Sequence, residues 1–136
     1  MSREIKFRAK VADSDYENEK QSEMIGSFVH FTGFIGLEND IGYVEQLEEI
    51  HGVGWFDVDI KTLGQYTGLK DKDGTDIFEG DIVQFKSIRD IIERYEVEYT
   101  NYGEWAIGMH RLSMRFRSCE VIGNVHEHSH LLEETE

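Results

Sequence analysis

The chain has 136 residues, 39% of them apolar and 12% aromatic, enough to close a core of ordinary domain size and too many for a disordered polymer. No run approaches the roughly 20 apolar residues of a membrane helix; the opening MSREIKFRAK has no apolar stretch behind its charges, so no secretory signal is expected; and the single cysteine, Cys119, excludes an internal disulfide and fits a reducing cytoplasm. The formal charge of −14 is spread evenly, with −7 on each side of the Gly64–Gln65 bond, so the expected surface is soluble and repels phosphate backbones, unless it imitates one.

Ile5, Phe7, Ala9 and Val11 alternate with Lys6, Arg8 and Lys10, the period of a half-buried strand. Residues 13–23 are polar and acidic and read as a loop. Residues 24–34 are apolar, aromatic and β-branched, and they predict a second strand closed by Gly33 and Gly36. Glu38, Asn39 and Asp40 form a turn ahead of a short strand over 42–47, and 48–54 fits no single template. Trp55, Asp57 and Asp59 then alternate with Phe56, Val58 and Ile60. Residues 61–67 read as a connection, and 68–81 are dense in turn residues around the apolar pair Ile77 and Phe78.

A strand begins with Ile82, Val83 and Phe85, after Gly80 and Asp81. Residues 88–94 suit one helical turn or a β-arc. Tyr95, Val97 and Tyr99 alternate with Glu96 and Glu98, Asn101-Tyr102-Gly103 is a turn, and 105–109 return, a hairpin pattern. Leu112, Met114 and Phe116 against Arg111, Arg115 and Arg117 predict a strand with an arginine face. Residues 120–126 predict another short strand, and 131–136 a short helix or a frayed end. The chain has no proline, and thirteen glycines supply the turn chemistry.

Short strands at this spacing define an all-β class, mainly β with minor helix. The expected architecture is a single domain with an N-terminal β lobe over 1–64. An SH3-like small barrel over 65–130 begins near Gly80 and Asp81. Phe7, Val83, Val97, Trp105, Phe116 and Ile122 are the expected buried residues.

Asp71-Lys-Asp73-Gly74-Thr75 spells the D-x-D-G-T loop of haloacid-dehalogenase-type phosphatases. That loop needs a buried apolar strand ahead of it, and later strands must bring Mg²⁺ carboxylates and a lysine. The polar, glycine-broken 65–70 offers no such strand, so an Asp-Gly hairpin turn is the reading. A calcium loop counted from Asp71 fails too, with Asp76 at its glycine position and Ile82 at its glutamate position. On a strand, His126, His128 and His130 would share one face, but no further ligand is placed to complete a zinc site. Arg111, Arg115 and Arg117 could hold phosphate, and more simply pair with neighbouring acids. Tyr95, Tyr99, Tyr102, Trp105, Trp55 and Phe116 could dock a peptide, and more simply pack. Cys119 reads as a small apolar residue at a strand edge.

Three blocks carry a family resemblance. Arg3-Glu-Ile-Lys-Phe-Arg-Ala9, the run from Gln65-Tyr-Thr-Gly-Leu to Glu79-Gly-Asp-Ile-Val83, and Val121-Ile-Gly-Asn-Val-His-Glu127 resemble the phage and prophage YopX family. Two departures stand out. Lys10 and Val11 occupy the place of the family's usual tryptophan and aspartate, and His128-Ser-His130 that of its frequent Asn-Pro-Glu. The resemblance implies a phage-encoded, mainly β protein and supplies no activity to carry onto particular residues.

No catalytic, cofactor-binding or metal residues are assigned, and no cofactor is expected. The expected protein is a phage or prophage accessory protein, a non-enzymatic protein-interaction module in the cytoplasm of a bacterial host. Its expected partner is a host or phage protein. The alternatives are a small metal-dependent hydrolase and an acidic DNA mimic. A homo-oligomer is expected because small β domains leave strand edges to cover. Neither direct duplex binding nor membrane association is expected.

Overall fold

The computed structural model describes residues 4–13, 24–38, 40–44 and 56–133. Strand content dominates, and the chain forms two compact units, 1–65 and 66–136.

In the first unit, β1 (Phe7–Val11) turns Ala9 and Val11 fully inward, as its alternation requires. The run expected as one strand over 24–34 is two, β2 (Phe28–Phe31) and β3 (Phe34–Glu38), broken by a bend at Thr32 and Gly33. β4 (Ile41–Val44) pairs antiparallel with β3, and residues 45–55 lie outside the described set, Trp55 among them. β5 (Phe56–Lys70) is a 15-residue strand that absorbs the expected connection over 61–67. It does so through an irregularity. Against β1, Arg8 faces Gly64 while Lys10 faces Asp59. The extra residues between are held by the Thr62 hydroxyl, which accepts the Lys10 N–H at 2.8 Å and donates to the Asp59 carbonyl at 2.7 Å. The strand order is β2-β1-β5-β4-β3. Ala9, Val11, Val29, Phe31, Val44 and Val58 form the core, with Phe7 half-buried against it.

In the second unit, the end of β5 pairs with β6 (Asp76–Phe78). A meander follows, β7 (Asp81–Lys86), β8 (Ile92–Tyr99), β9 (Trp105–Ile107) and β10 (His110–Arg111), and β11 (Glu120–Asn124) returns to pair with β7. The start at Gly80 and Asp81 and the 95–109 hairpin are as the sequence predicts. The order β10-β9-β8-β7-β11 is an open path, not the closed barrel expected. The strand expected over 112–116 is also absent. Residues 112–118 are helical, a short α1 (Leu112–Arg115) followed by a 3-10 turn (Phe116–Ser118).

Helical geometry also changes which side chains are inside. Residues four apart share a helix face, so Leu112 is buried and Phe116 packs half-buried against the same core, while Met114 is 72% exposed. The core comprises Ile77, Val83, Phe85, Val97, Ile107, Leu112 and Cys119, with Trp105 and Val121 packed against it. Ile122, expected inside, is only half-buried. β11 is irregular between Val121 and Gly123, and Val121 is the residue opposite Val83.

Between β9 and β10 the loop is only Gly108 and Met109. Gly108 has φ +62°, and a Cβ there would lie 2.6 Å from the Tyr95 ring, so the tight turn admits only glycine.

Two truncations separate the helix from the expected strand. Leu112→Ala should cost about 2–5 kcal/mol. Met114→Ala should stay within about 0.5 kcal/mol. Equal losses in urea melts would restore the strand reading.

Candidate functional site

The D-x-D-G-T segment is the loop of the β5–β6 hairpin. Asp71 N–H donates to the Thr75 carbonyl at 2.8 Å, and Gly74, at φ +84°, turns the chain back. The Asp71 carboxylate is buried and already engaged. Its Oδ1 accepts the N–H groups of Asp73 and Thr75, both at 2.9 Å, and its Oδ2 accepts the Val121 N–H at 2.9 Å. A carboxylate holding three main-chain donors is a structural acceptor, not one aimed at a phosphoryl group. Lys72 N–H donates to the Cys119 carbonyl at 3.0 Å, so the loop is tied twice to the β11 segment.

Asp81 and Asn124 act in the same way. Asp81 is buried, and its Oδ2 accepts the Phe78 N–H at 2.7 Å. Asn124 Oδ1 accepts the N–H groups of His126 and Glu127 at 3.0 and 3.1 Å. The strand ends there, so His126, His128 and His130 do not alternate on one face as a strand would set them. The rings of His128 and His130 are 6.3 Å apart, and no group of three metal-ligating side chains forms among the described residues.

Cys119 is fully buried just ahead of β11, and its thiol is pushed up to about 11, first by burial and then by the Asp71 charge, against a lowering by Arg115. It therefore stays a neutral thiol near pH 7, unsuited to attack. The arginines do not share a face. Arg111 Nε lies 3.1 Å from Glu104 Oε2, and Arg117 lies over the Phe116 ring at 5.2 Å.

The aromatic set divides. Tyr95 stacks on Phe85 at 5.9 Å, and its hydroxyl donates to Glu93 at 3.1 Å. Burial raises this phenol's pKa, and the Glu93 bond and charge add to the effect. Tyr99 meets Trp105 edge-on at 4.8 Å, directly across the β8–β9 pair. Tyr102 projects from the turn beyond them, 91% exposed. Leu69, Glu104, Trp105, Arg111 and Ser113 line a shallow groove. The Trp105 Nε1 is buried with no hydrogen-bond partner among the described residues. On the opposite aspect of β8, burial raises the pKa of Glu96, and the charges of Glu98 and Glu79 add to it.

Sequence reasoning missed the β7–β8 turn. It is a built loop. Ser87 N–H donates to the Ile91 carbonyl at 2.8 Å, Asp90 N–H donates to the Ser87 carbonyl at 2.9 Å, and the Ser87 hydroxyl accepts the N–H groups of Arg89 and Ile91, both at 3.3 Å. Asp90 takes φ +61°, a left-handed conformation that aspartate tolerates better than most side chains. This ordered loop holds Ile88 fully in solvent, with Ile91 and Ile92 about half exposed. The available signal was the apolar Ile88, Ile91 and Ile92 among Lys86, Arg89, Asp90 and Arg94; it was read as a helical turn or β-arc.

Two antiparallel sheets joined along one chain define a mainly β protein. The family model described as YopX protein matches residues 6–133, and the chain belongs to the YopX family. No curated protein matches it. Among solved structures it is similar to protein EF1440 from Enterococcus faecalis, at 22% identity and a TM-score of 0.45, over 96% of this chain and 99% of that one.

Two measurements test this assignment of roles. Asp71→Ala orphans three main-chain donors and should cost about 3–5 kcal/mol, whereas Thr75→Ala, which keeps its amide, should change stability by less than about 0.5 kcal/mol; an Asp71→Ala loss under about 1 kcal/mol would refute the structural role. Cys119 should resist iodoacetamide in the native protein near neutral pH and react once urea unfolds it. Stoichiometric labelling of the folded protein would contradict its burial.

Proposed function

We propose that this YopX-family protein is a non-enzymatic interaction module, a phage or prophage accessory protein acting on a host or phage protein in the bacterial cytoplasm. The observation that carries the reading is the β7–β8 turn, where two main-chain bonds and two bonds to the Ser87 hydroxyl order the loop that displays Ile88 and Arg89. A preorganised apolar tip loses little conformational entropy on docking. The groups that sequence reading weighed as chemical support the same view. Asp71 accepts main-chain N–H bonds, and Cys119 is enclosed. No helix among the described residues is long and apolar enough to cross a membrane.

The reading extends to self-association through open strand edges, with β10 and β11 at the ends of their sheet. It also extends to no autonomous binding of duplex DNA. Phosphate affinity grows with the number of free cations brought to the backbone, and here Arg111 faces Glu104 and Arg117 covers Phe116.

Affinity capture from host lysate with wild type and an Ile88→Asp variant of unchanged circular dichroism tests the proposal. A protein retained by the first and lost with the second is the expected result. Stoichiometric bound metal together with turnover in a broad phosphatase panel would replace it with the hydrolase reading.

A further inference from the structure

We propose that the β7–β8 turn enters an apolar pocket rimmed by carboxylates on the partner protein; this rests on the interaction-module reading and names the chemistry of its partner. Ile88 is fully in solvent, and Ile91 and Ile92 are about half exposed. Lys86 and Arg89 flank Ile88 in the chain. Both are exposed, and neither forms an ion pair among the described residues. By contrast, Lys6, Lys61, Lys70, Lys72 and Arg111 each meet a carboxylate of this chain. With 28 acids to 14 lysines and arginines in the chain, a cation beside an acid is the ordinary arrangement, and the tip departs from it.

Strand register adds a third cation. Lys86 lies opposite Ile92 and Gln84 opposite Arg94, so alternation sends all four to the face away from Val83 and Phe85. Arg94 Nε donates to Gln84 Oε1 at 3.3 Å, which holds the guanidinium on that face. Residues 86–94 contain three cations and two acids, a net +1 in a chain of −14. Of the two acids, Glu93 lies opposite Phe85 and accepts the Tyr95 hydroxyl at 3.1 Å, and only Asp90 is left on the exposed turn. An isoleucine gains by leaving water. A lysine or arginine carried into an interface needs an acid there, because a desolvated cation without one is costly. An apolar floor with carboxylates at its rim meets both needs, whereas a wholly apolar pocket strands Lys86 and Arg89. The negative charge of the remaining surface opposes other approaches to an acidic partner, so it also fixes the tip as the point of entry.

Zero-length cross-linking tests this. The full chain is incubated with host lysate and treated with a water-soluble carbodiimide, which joins an amine only to a carboxylate in direct contact. Mass spectrometry of the digested complex should find an amide between Lys86 Nζ and an aspartate or glutamate of the retained protein, a reading that needs no variant. Arg89→Glu should lower retention about tenfold or more, whereas Arg115→Glu, an equal charge change at another exposed arginine, should leave it within about twofold. A protein lost with Ile88→Asp but retained in full by Arg89→Glu, or joined by no amide at Lys86, would leave the interaction module standing and overturn the carboxylate rim. Retention that nuclease treatment abolishes would assign the tip to nucleic acid and overturn it as well. If no protein distinguishes wild type from Ile88→Asp, the interaction-module reading fails and this inference fails with it.

Discussion

The second unit depends on one buried carboxylate. Asp71 lies 50 residues before Val121, yet its two oxygens bind that amide and the two amides of its own loop. A charged acceptor removed from water is stable only when donors surround it, and here three main-chain N–H groups do so. The bond joins the β5–β6 hairpin to β11, and β11 in turn covers the edge of β7, the first strand of the meander. Lys72 repeats the tie through the Cys119 carbonyl. Cys119, whose carbonyl takes part in that junction, is fully buried.

The same device recurs at several of the described turns. Ser87, Thr100, Asp81 and Asn124 each place a side-chain oxygen on main-chain N–H groups at a strand end. These short side chains mimic the hydrogen bonding of a turn, so they fix it without proline, which the chain lacks. The polar groups that might otherwise work on a ligand are therefore mostly inside the backbone network. Apolar tips at Ile88, Tyr102 and Met109 remain in solvent on ordered turns.

Much of the fold was legible from period and punctuation. Alternation in 5–11 and 95–99, and Gly80-Asp81 before Ile82 and Val83, mark strands because a strand sends successive side chains to opposite faces. The Asp-Gly loop was equally readable, since a left-handed residue is needed there. Residues 111–117 misled because Leu112, Met114 and Phe116 satisfy a two-residue period while Leu112 and Phe116 also satisfy a helical one. Only packing of that pair on the core beneath chooses between them. The continuity of β5 was hidden because a strand that bulges loses its period for the length of the bulge.

By itself the sequence determined the all-β class, the acidic charge, the main hairpins and a family kinship that the match over 6–133 establishes. These are local or compositional properties, readable from neighbouring residues. Only the tertiary structure decided that Asp71 serves the backbone, that the sheet stays open and that Ile88 is displayed. Each depends on which main-chain donor or core surface lies beside a side chain in space. Spacing along the chain carries no record of that until the sheets have formed.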